Sequence, residues 1–147
     1  MKEAYITIRD RHFTDDDGGD DYGELKTDCL IGTEDDSIVV RYHETVEKAD
    51  DCDTSLRVQN NRITMMRNGF FRTGMIFENG KRHISCYETP FGEAMIGIYT
   101  NAMFIDFDEN GGILDFAYTI DNNGDLLSEN ELKITVELKE ENNVDFS

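Results

Sequence analysis

Apolar and polar residues alternate along most of this chain, in short runs that turn residues separate. The clearest stretch is 61–100, where the alternating runs are divided by Asn68-Gly69, by Asn79-Gly80 and by the Thr-Pro-Phe-Gly corner at 89–92. A period of two residues is typical of strands with one buried face, and Asn-Gly pairs are typical of tight hairpins. The stretch therefore predicts an antiparallel meander.

The same pattern continues towards both ends of the chain. It predicts a first strand at 4–12 and a last strand at 132–138, whereas apolar residues nowhere keep helical spacing for three turns. We expect at most one helical turn, at 128–131, and a short break at 101–102 that separates two alternating runs. Some eight to ten strands with one apolar face predict an all-β fold, a single antiparallel up-and-down β-barrel, because closure buries that face and leaves no unpaired edge.

Several polar residues share the alternation of core residues and are therefore expected inside the barrel. They are Tyr42, Glu44, Arg67, Glu88, Thr100 and Tyr118. On the seventh strand, Glu88 is placed inside together with Ile84 and Cys86. A charge inside a barrel is costly unless it is paired, so we expect Arg67 to meet Glu44 or Glu88.

This interior set has two interpretations. In one, the charged residues form a salt bridge that plugs one end of a barrel filled by its own side chains. In the other, the polar groups orient a small ligand, which could be acidic, against apolar residues that line a cavity. Those apolar residues are Phe71, Met75, Phe77 and Phe116.

Size and charge limit the classes of function. The chain has 147 residues and a formal net charge of −18, which fits one domain over 1–147 and argues against binding to nucleic acid or to anionic membranes. We expect an acidic loop at 14–22 and a frayed tail at 140–147. The N-terminus lacks the apolar core of a signal peptide, and three cysteines without a Cys-x-x-Cys pair fit a cytoplasmic protein with reduced thiols.

One segment resembles part of a calcium-binding loop. Asp106, Asp108 and Asn110 offer oxygen ligands at alternate positions, and Gly111 follows where the chain must turn. The position for a bidentate glutamate holds Ala117, and strands flank the segment. We interpret it as a hairpin turn and predict no metal site, while cation binding at 106–110 stays open.

No catalytic motif is evident. His12, His43 and His83 are far apart, lack zinc-ligand spacing and are expected on the solvent side, and no Gly-x-Ser-x-Gly elbow occurs. Cys86 is predicted to be a buried, inert thiol. We therefore predict no cofactor.

The residues also resemble a known family. The resemblance rests on the Tyr42-x-Glu44 strand, Arg67-x-Gly69, Met75-x-Phe77, a later Thr100 and the run His83-x-Ser85-x-Tyr87-x-Thr89-Pro90-Phe91-Gly92. This pattern is similar to that of the YwiB-like proteins, uncharacterised bacterial domains found mainly in Firmicutes. The resemblance implies a calycin-like barrel, as in lipocalins and fatty-acid-binding proteins, and a cytoplasmic location. It carries over no catalytic residue.

The sequence thus predicts a non-enzymatic, monomeric or homodimeric protein that binds a small molecule inside a β-barrel. The alternative is an acidic interaction module, with a self-filled barrel, that docks a basic partner protein. An enzyme is a third interpretation, in which paired carboxylates such as Glu44 and Glu88 could do acid-base work only if burial raised the pKa of one of them.

Overall fold

Strands make up nearly all of the computed structural model, which describes residues 1–13, 20–46, 50–69 and 72–139. The strands are β1 (Lys2–Phe13), β2 (Asp20–Glu34), β3 (Ser37–Val46), β4 (Asp50–Gln59), β5 (Arg62–Asn68), β6 (Arg72–Glu78), β7 (Arg82–Thr89), β8 (Gly92–Asp108), β9 (Gly111–Asn122) and β10 (Asp125–Leu138). Within the described ranges, no helix has the length and apolarity needed to cross a membrane.

The ten strands form one closed antiparallel barrel. Each strand pairs with its neighbours in sequence, and β1 pairs with β10 to close the sheet. The closing ladder is long, running from Ala4 opposite Leu138 to Phe13 opposite Glu129. The predicted up-and-down barrel of eight to ten strands is therefore confirmed.

Tight turns between the strands rely on residues that accept positive φ angles. Asn60 has a φ of 56° between β4 and β5, and Asn123 has a φ of 54° between β9 and β10. Asn tolerates this left-handed conformation better than most residues. Pro90 lies between the end of β7 and the start of β8, as expected of a residue that cannot donate to a β-ladder.

The core is the inner face of the barrel. Its largest fully buried side chains are Phe77, Phe116, Ile6, Ile31, Leu56, Ile63, Ile98, Leu114 and Ile134. Burying each such side chain contributes roughly 1.5–3 kcal/mol, which makes this layer the main source of stability. It follows the predicted alternation apart from β7 and from Val39 on β3, which is only 2% exposed although it was predicted on the opposite face from Val40.

On β7 the predicted face is wrong. The side chain of Ile84 is 54% exposed, Glu88 is exposed and Cys86 is half-buried, whereas Ser85 is only 3% exposed. The cause is the register with β6, which places Tyr87 opposite Thr73 on the inner face. Burial of Ser85 is tolerated because its hydroxyl donates to the Gly74 carbonyl, next to the point where the β6–β7 ladder stops.

Two other local expectations change. The helical turn expected at 128–131 is wrong: these residues belong to β10, with Asn130 paired to both Tyr118 on β9 and His12 on β1. Ladder bonds on both sides outweigh the weak local preference for a turn. The break expected at 101–102 is a register shift between Thr100 and Ala102 within the continuous strand β8.

The predicted acidic loop is shorter than 14–22. Asp21 and Tyr22 lie in β2, opposite His12 and Arg11 on β1. Side-chain contacts join the two strands here, since His12 Nε2 lies 3.3 Å from an Asp21 carboxylate oxygen and the Arg11 guanidinium lies 5.6 Å from the Tyr22 ring centre. Residues 14–19 and the predicted tail at 140–147 fall outside the described ranges.

Candidate ligand-binding site

The barrel wall forks between β2 and β3. These strands pair only from Leu30 opposite Arg41 to Glu34 opposite Ser37. Beyond the fork, β2 continues along β1 and β3 continues along β4. In the described part of the chain no β2–β3 pair closes this opening, so the wall has a gap there.

An outer groove of about 810 Å³ lies at the fork on the surface of the barrel. Several of its polar and charged side chains contact one another. Lys139 Nζ lies 3.3 Å from Asp28 and 3.5 Å from Glu3, and His43 Nδ1 lies 2.7 Å from Asp53. These contacts are exposed and each contributes little to stability.

An inner cavity of about 340 Å³ adjoins this groove, and Tyr42 and Arg67 line both. Its apolar wall consists of Ile8, Leu25, Met65, Met75 and Leu132. Its polar lining consists of Asp10, Glu24, Tyr42, Glu44, Arg67 and Tyr118. The cavity thus combines an apolar wall with convergent polar groups, as small-molecule sites do, although its polar share is larger than usual.

Arg67 meets a carboxylate, as the cost of burying its charge requires. Its Nη2 atom donates to Glu44 Oε1 over 3.2 Å, so the predicted pairing is confirmed, with Glu44 as the partner. Burial is the largest single effect and lowers the pKa of Arg67, but the Glu44 carboxylate, with smaller contributions from Cys52 and Tyr42, outweighs it in sum, so that the pKa of Arg67 is raised. Arg67 therefore stays a cation at the junction of groove and cavity.

The two cavity tyrosines stay protonated well above neutral pH. Burial raises the pKa of Tyr42 to about 12, and the nearby Glu44 carboxylate adds to the effect. Burial raises the pKa of Tyr118 to about 12 as well, with a further contribution from Asp10. Both hydroxyl groups can therefore donate hydrogen bonds to a ligand.

The other apolar residues expected at the cavity lie in the core, next to it. Phe77 and Phe116 are almost fully buried, and the Phe77 ring centre lies 4.7 Å from those of Phe116 and Tyr118. Thr100 is fully buried opposite Tyr118, and its hydroxyl has no hydrogen-bond partner among the described residues. Phe71 lies outside the described residues. The rings of Phe77 and Phe116 thus pack against Tyr118 on its core side.

Glu88 was expected inside the barrel but faces outward. It is exposed and lines the outer groove rather than the inner cavity. The register of β7 accounts for the difference. Ser85 and Tyr87 point inward on this strand, so Glu88, the residue after Tyr87, points outward. Glu44 and Glu88 therefore lie on opposite faces of the sheet, so these two carboxylates do not form an acid-base pair.

The sequence analysis did not include Asp10 among the residues of the cavity. This residue continues the inward face of Ala4, Ile6 and Ile8, and its carboxylate lines the inner cavity. The available signal was the one that identified Glu44, an inward-facing strand pattern that ends on a carboxylate.

The calcium-like segment uses its oxygen atoms within the fold. Asp108 Oδ1 accepts a hydrogen bond from the Asn110 backbone N–H over 2.8 Å, and Asn110 Oδ1 accepts one from Lys2 Nζ over 2.6 Å. Elsewhere, Cys86, Glu88 and Glu93 bring their ligand atoms within 4.8 Å of one another. This group is open to solvent on the outer face of the barrel.

Comparison with known proteins gives consistent matches. A family model described as "Domain of unknown function (DUF1934)" matches residues 6–134. The chain is 25% identical over 117 residues to the uncharacterized beta-barrel protein YwiB of Bacillus subtilis, covering 80% of this chain and 82% of that protein. The crystal structure of the ywiB protein from Bacillus subtilis matches with a TM-score of 0.83 at 21% identity, covering 95% of this chain and 93% of the other. That structural match supports the fold alone.

Proposed function

The chain belongs to the DUF1934 family of uncharacterised bacterial proteins, and from this premise we propose that its barrel binds a small molecule in the inner cavity. The resemblance to YwiB-like proteins is confirmed, but the family description assigns no activity. The proposal therefore rests on the site, with the interior binding of calycin proteins as an analogy of fold.

The observation that carries the proposal is the composition and position of the inner cavity. Its volume of about 340 Å³ falls within the range of roughly 300–1,000 Å³ found for ligand pockets. Two protonated tyrosine hydroxyls and the Arg67–Glu44 pair line it together with the apolar residues. The fork between β2 and β3 supplies a route from the surface.

The Arg67–Glu44 salt bridge does not fill the end of the barrel. If it were only a plug, the space around it would be packed with side chains, as in small barrels without ligands. Instead, cavity volume remains on the side of Tyr118 and Met75, and the outer groove lies on the other side. This arrangement favours a binding role for the polar residues.

Native mass spectrometry of protein purified from its own host tests the proposal. We expect a bound species whose added mass is lost on denaturation. Met65 lines the inner cavity, whereas the next residue, Met66, is 53% exposed and lines the outer groove. Met65→Trp should therefore remove the bound species by filling the cavity, and Met66→Trp should retain it.

Circular dichroism melts would establish that both variants fold. Finding only apo protein in the wild type would contradict the proposal. Loss of the bound species in Met66→Trp alone would contradict it as well, since the ligand would then occupy the outer groove.

A second candidate function, an acidic module that docks a basic partner protein, is supported by the exposed carboxylates. The side chains of Asp21, Asp28 and Asp53 are 80%, 74% and 79% exposed in a chain of net charge −18. Capture of such a partner would weaken steeply with salt. It would be unchanged by Arg67→Met, which separates this function from ligand binding.

The proposal includes a cytoplasmic location. Its support is that Cys29, Cys52 and Cys86 are all free thiols, as expected in a reducing compartment.

A further inference from the structure

Building on the proposed function, we infer that the ligand carries an ammonium group, held by the Asp10 carboxylate, and an apolar body that lies against the cavity wall. The inference starts from the charges that line the cavity. Three of the four have partners: Arg67 pairs with Glu44 over 3.2 Å, and Glu24 accepts a hydrogen bond from Arg9 Nε over 2.6 Å. The fourth is Asp10.

Asp10 lacks a counter-ion within the described ranges. No hydrogen bond or ion pair with these residues involves its carboxylate, although the group is partly buried. The arginines on either side of it in β1 have other partners, since Arg9 binds Glu24 and Arg11 Nη1 lies 3.5 Å from Glu131. A partly buried anion without a cation favours binding of a positively charged group.

The fold leaves room for this carboxylate. Asp10 pairs with Gly23 on β2, and a Cβ atom at position 23 would collide with Asp10 Oδ1. Gly23 does not have a positive φ, so backbone geometry alone does not require glycine there. The missing side chain provides the space into which Asp10 extends.

The rest of the cavity suits an organic cation better than a metal ion. Ile8, Leu25, Met65 and Met75 form an apolar wall for a hydrocarbon body. Tyr118 lines the same cavity as Asp10, and an aromatic face also attracts an ammonium group. The net charge of −18 raises the local concentration of cations and disfavours the acidic ligand that the sequence left open.

Three probes with the same alkyl chain test the inference: hexylammonium, hexanol and hexanoate. Each is titrated into protein carrying isotope-labelled methionine methyl groups, and the resonances of Met65 and Met75 report on the cavity. Met66 and Met95, both more than half exposed, report on non-specific surface binding. We expect hexylammonium to shift the Met65 and Met75 signals with a Kd about tenfold below that of hexanol, with hexanoate weakest.

A matched pair of variants identifies the residue responsible. Asp10→Asn should raise the Kd of hexylammonium to about that of hexanol and leave hexanol binding unchanged. Asp115→Asn makes the same change at an exposed position of β9 and should preserve the preference for ammonium. If Asp10→Asn does not fold, the ranking of the three probes on the wild type still decides the ligand charge.

The outcomes separate the inference from the proposed function. Equal or tighter binding of hexanol or hexanoate would overturn the ammonium assignment and leave ligand binding in place. A preference for ammonium that survives in Asp10→Asn would overturn the role of Asp10. If none of the probes shifts Met65 or Met75, both the ammonium assignment and binding in this cavity are contradicted.

Discussion

Arg67 on β5 and Glu44 on β3 meet across the intervening strand β4, with 3.2 Å between Nη2 and Oε1. The two side chains differ in their access to water, since 41% of the Arg67 side chain is exposed and only 13% of that of Glu44. Water can therefore solvate the guanidinium without its partner, whereas the less exposed carboxylate relies on the salt bridge for compensation of its charge.

This asymmetry predicts unequal effects of the two single substitutions. Arg67→Met leaves the Glu44 carboxylate without its cation and should lower the free energy of unfolding by about 1–3 kcal/mol. Glu44→Gln should lower the free energy of unfolding by less, because water can reach the guanidinium of Arg67. Urea denaturation of both variants and of the double variant measures the difference, and the double variant should recover part of the Arg67→Met loss. Equal losses would contradict the asymmetry.

The register of β7 predicts that Ser85 contributes more to stability than the isoleucine before it, Ile84. Ser85→Ala removes the hydroxyl that donates to the Gly74 carbonyl and should cost about 1–3 kcal/mol of stability. Ile84→Thr changes a side chain that is 54% exposed and should change stability by less than about 0.5 kcal/mol. Thermal or urea unfolding compares them. A larger loss for Ile84→Thr would mean that β7 has the opposite face inward.

Two glycines with positive φ are expected to respond differently to alanine. Gly112 has a φ of 138°, and a Cβ atom there would collide with the Asp106 backbone carbonyl. Gly80 has a φ of 77° and no heavy atom within 4 Å of such a Cβ. Gly80→Ala should cost about 1–2 kcal/mol from backbone strain alone, and Gly112→Ala clearly more. Similar unfolding midpoints for the two variants would contradict this difference.

Alkaline titration should detect the two cavity tyrosines. Burial raises the pKa of Tyr42 and of Tyr118 from 10.0 to about 12, so the native fold favours their neutral forms. Their contribution to stability is full below pH 10.0 and is lost as the pH rises towards about 12. Tyrosinate absorbance followed against pH should show two late ionisations.

Single Phe substitutions assign these late steps. Tyr42→Phe and Tyr118→Phe should each remove one of them, whereas Tyr22→Phe, at a side chain on the surface, should leave both. Early ionisation of all tyrosines while the protein is still folded would contradict the burial of the cavity pair.

The candidate site was only partly predictable from sequence. Tyr42, Glu44 and Arg67 were found because each follows apolar residues of the same parity on its own strand, and the cost of an unpaired internal charge predicted the Arg67 contact. Asp10 followed the same rule but its partner-free carboxylate was not anticipated, because the absence of a partner depends on where Arg9 and Arg11 point.

The sequence by itself determined the strands, most of the turns and the closed all-β barrel, because period-two alternation and turn residues act over a few neighbouring positions. Tertiary structure alone decided that Ser85 rather than Ile84 faces inward, that β2 and β3 separate beyond Leu30, and that Asp10 lines one cavity with Tyr118. Each of these depends on the register between strands, and register is set by packing around the whole barrel, which no local pattern records.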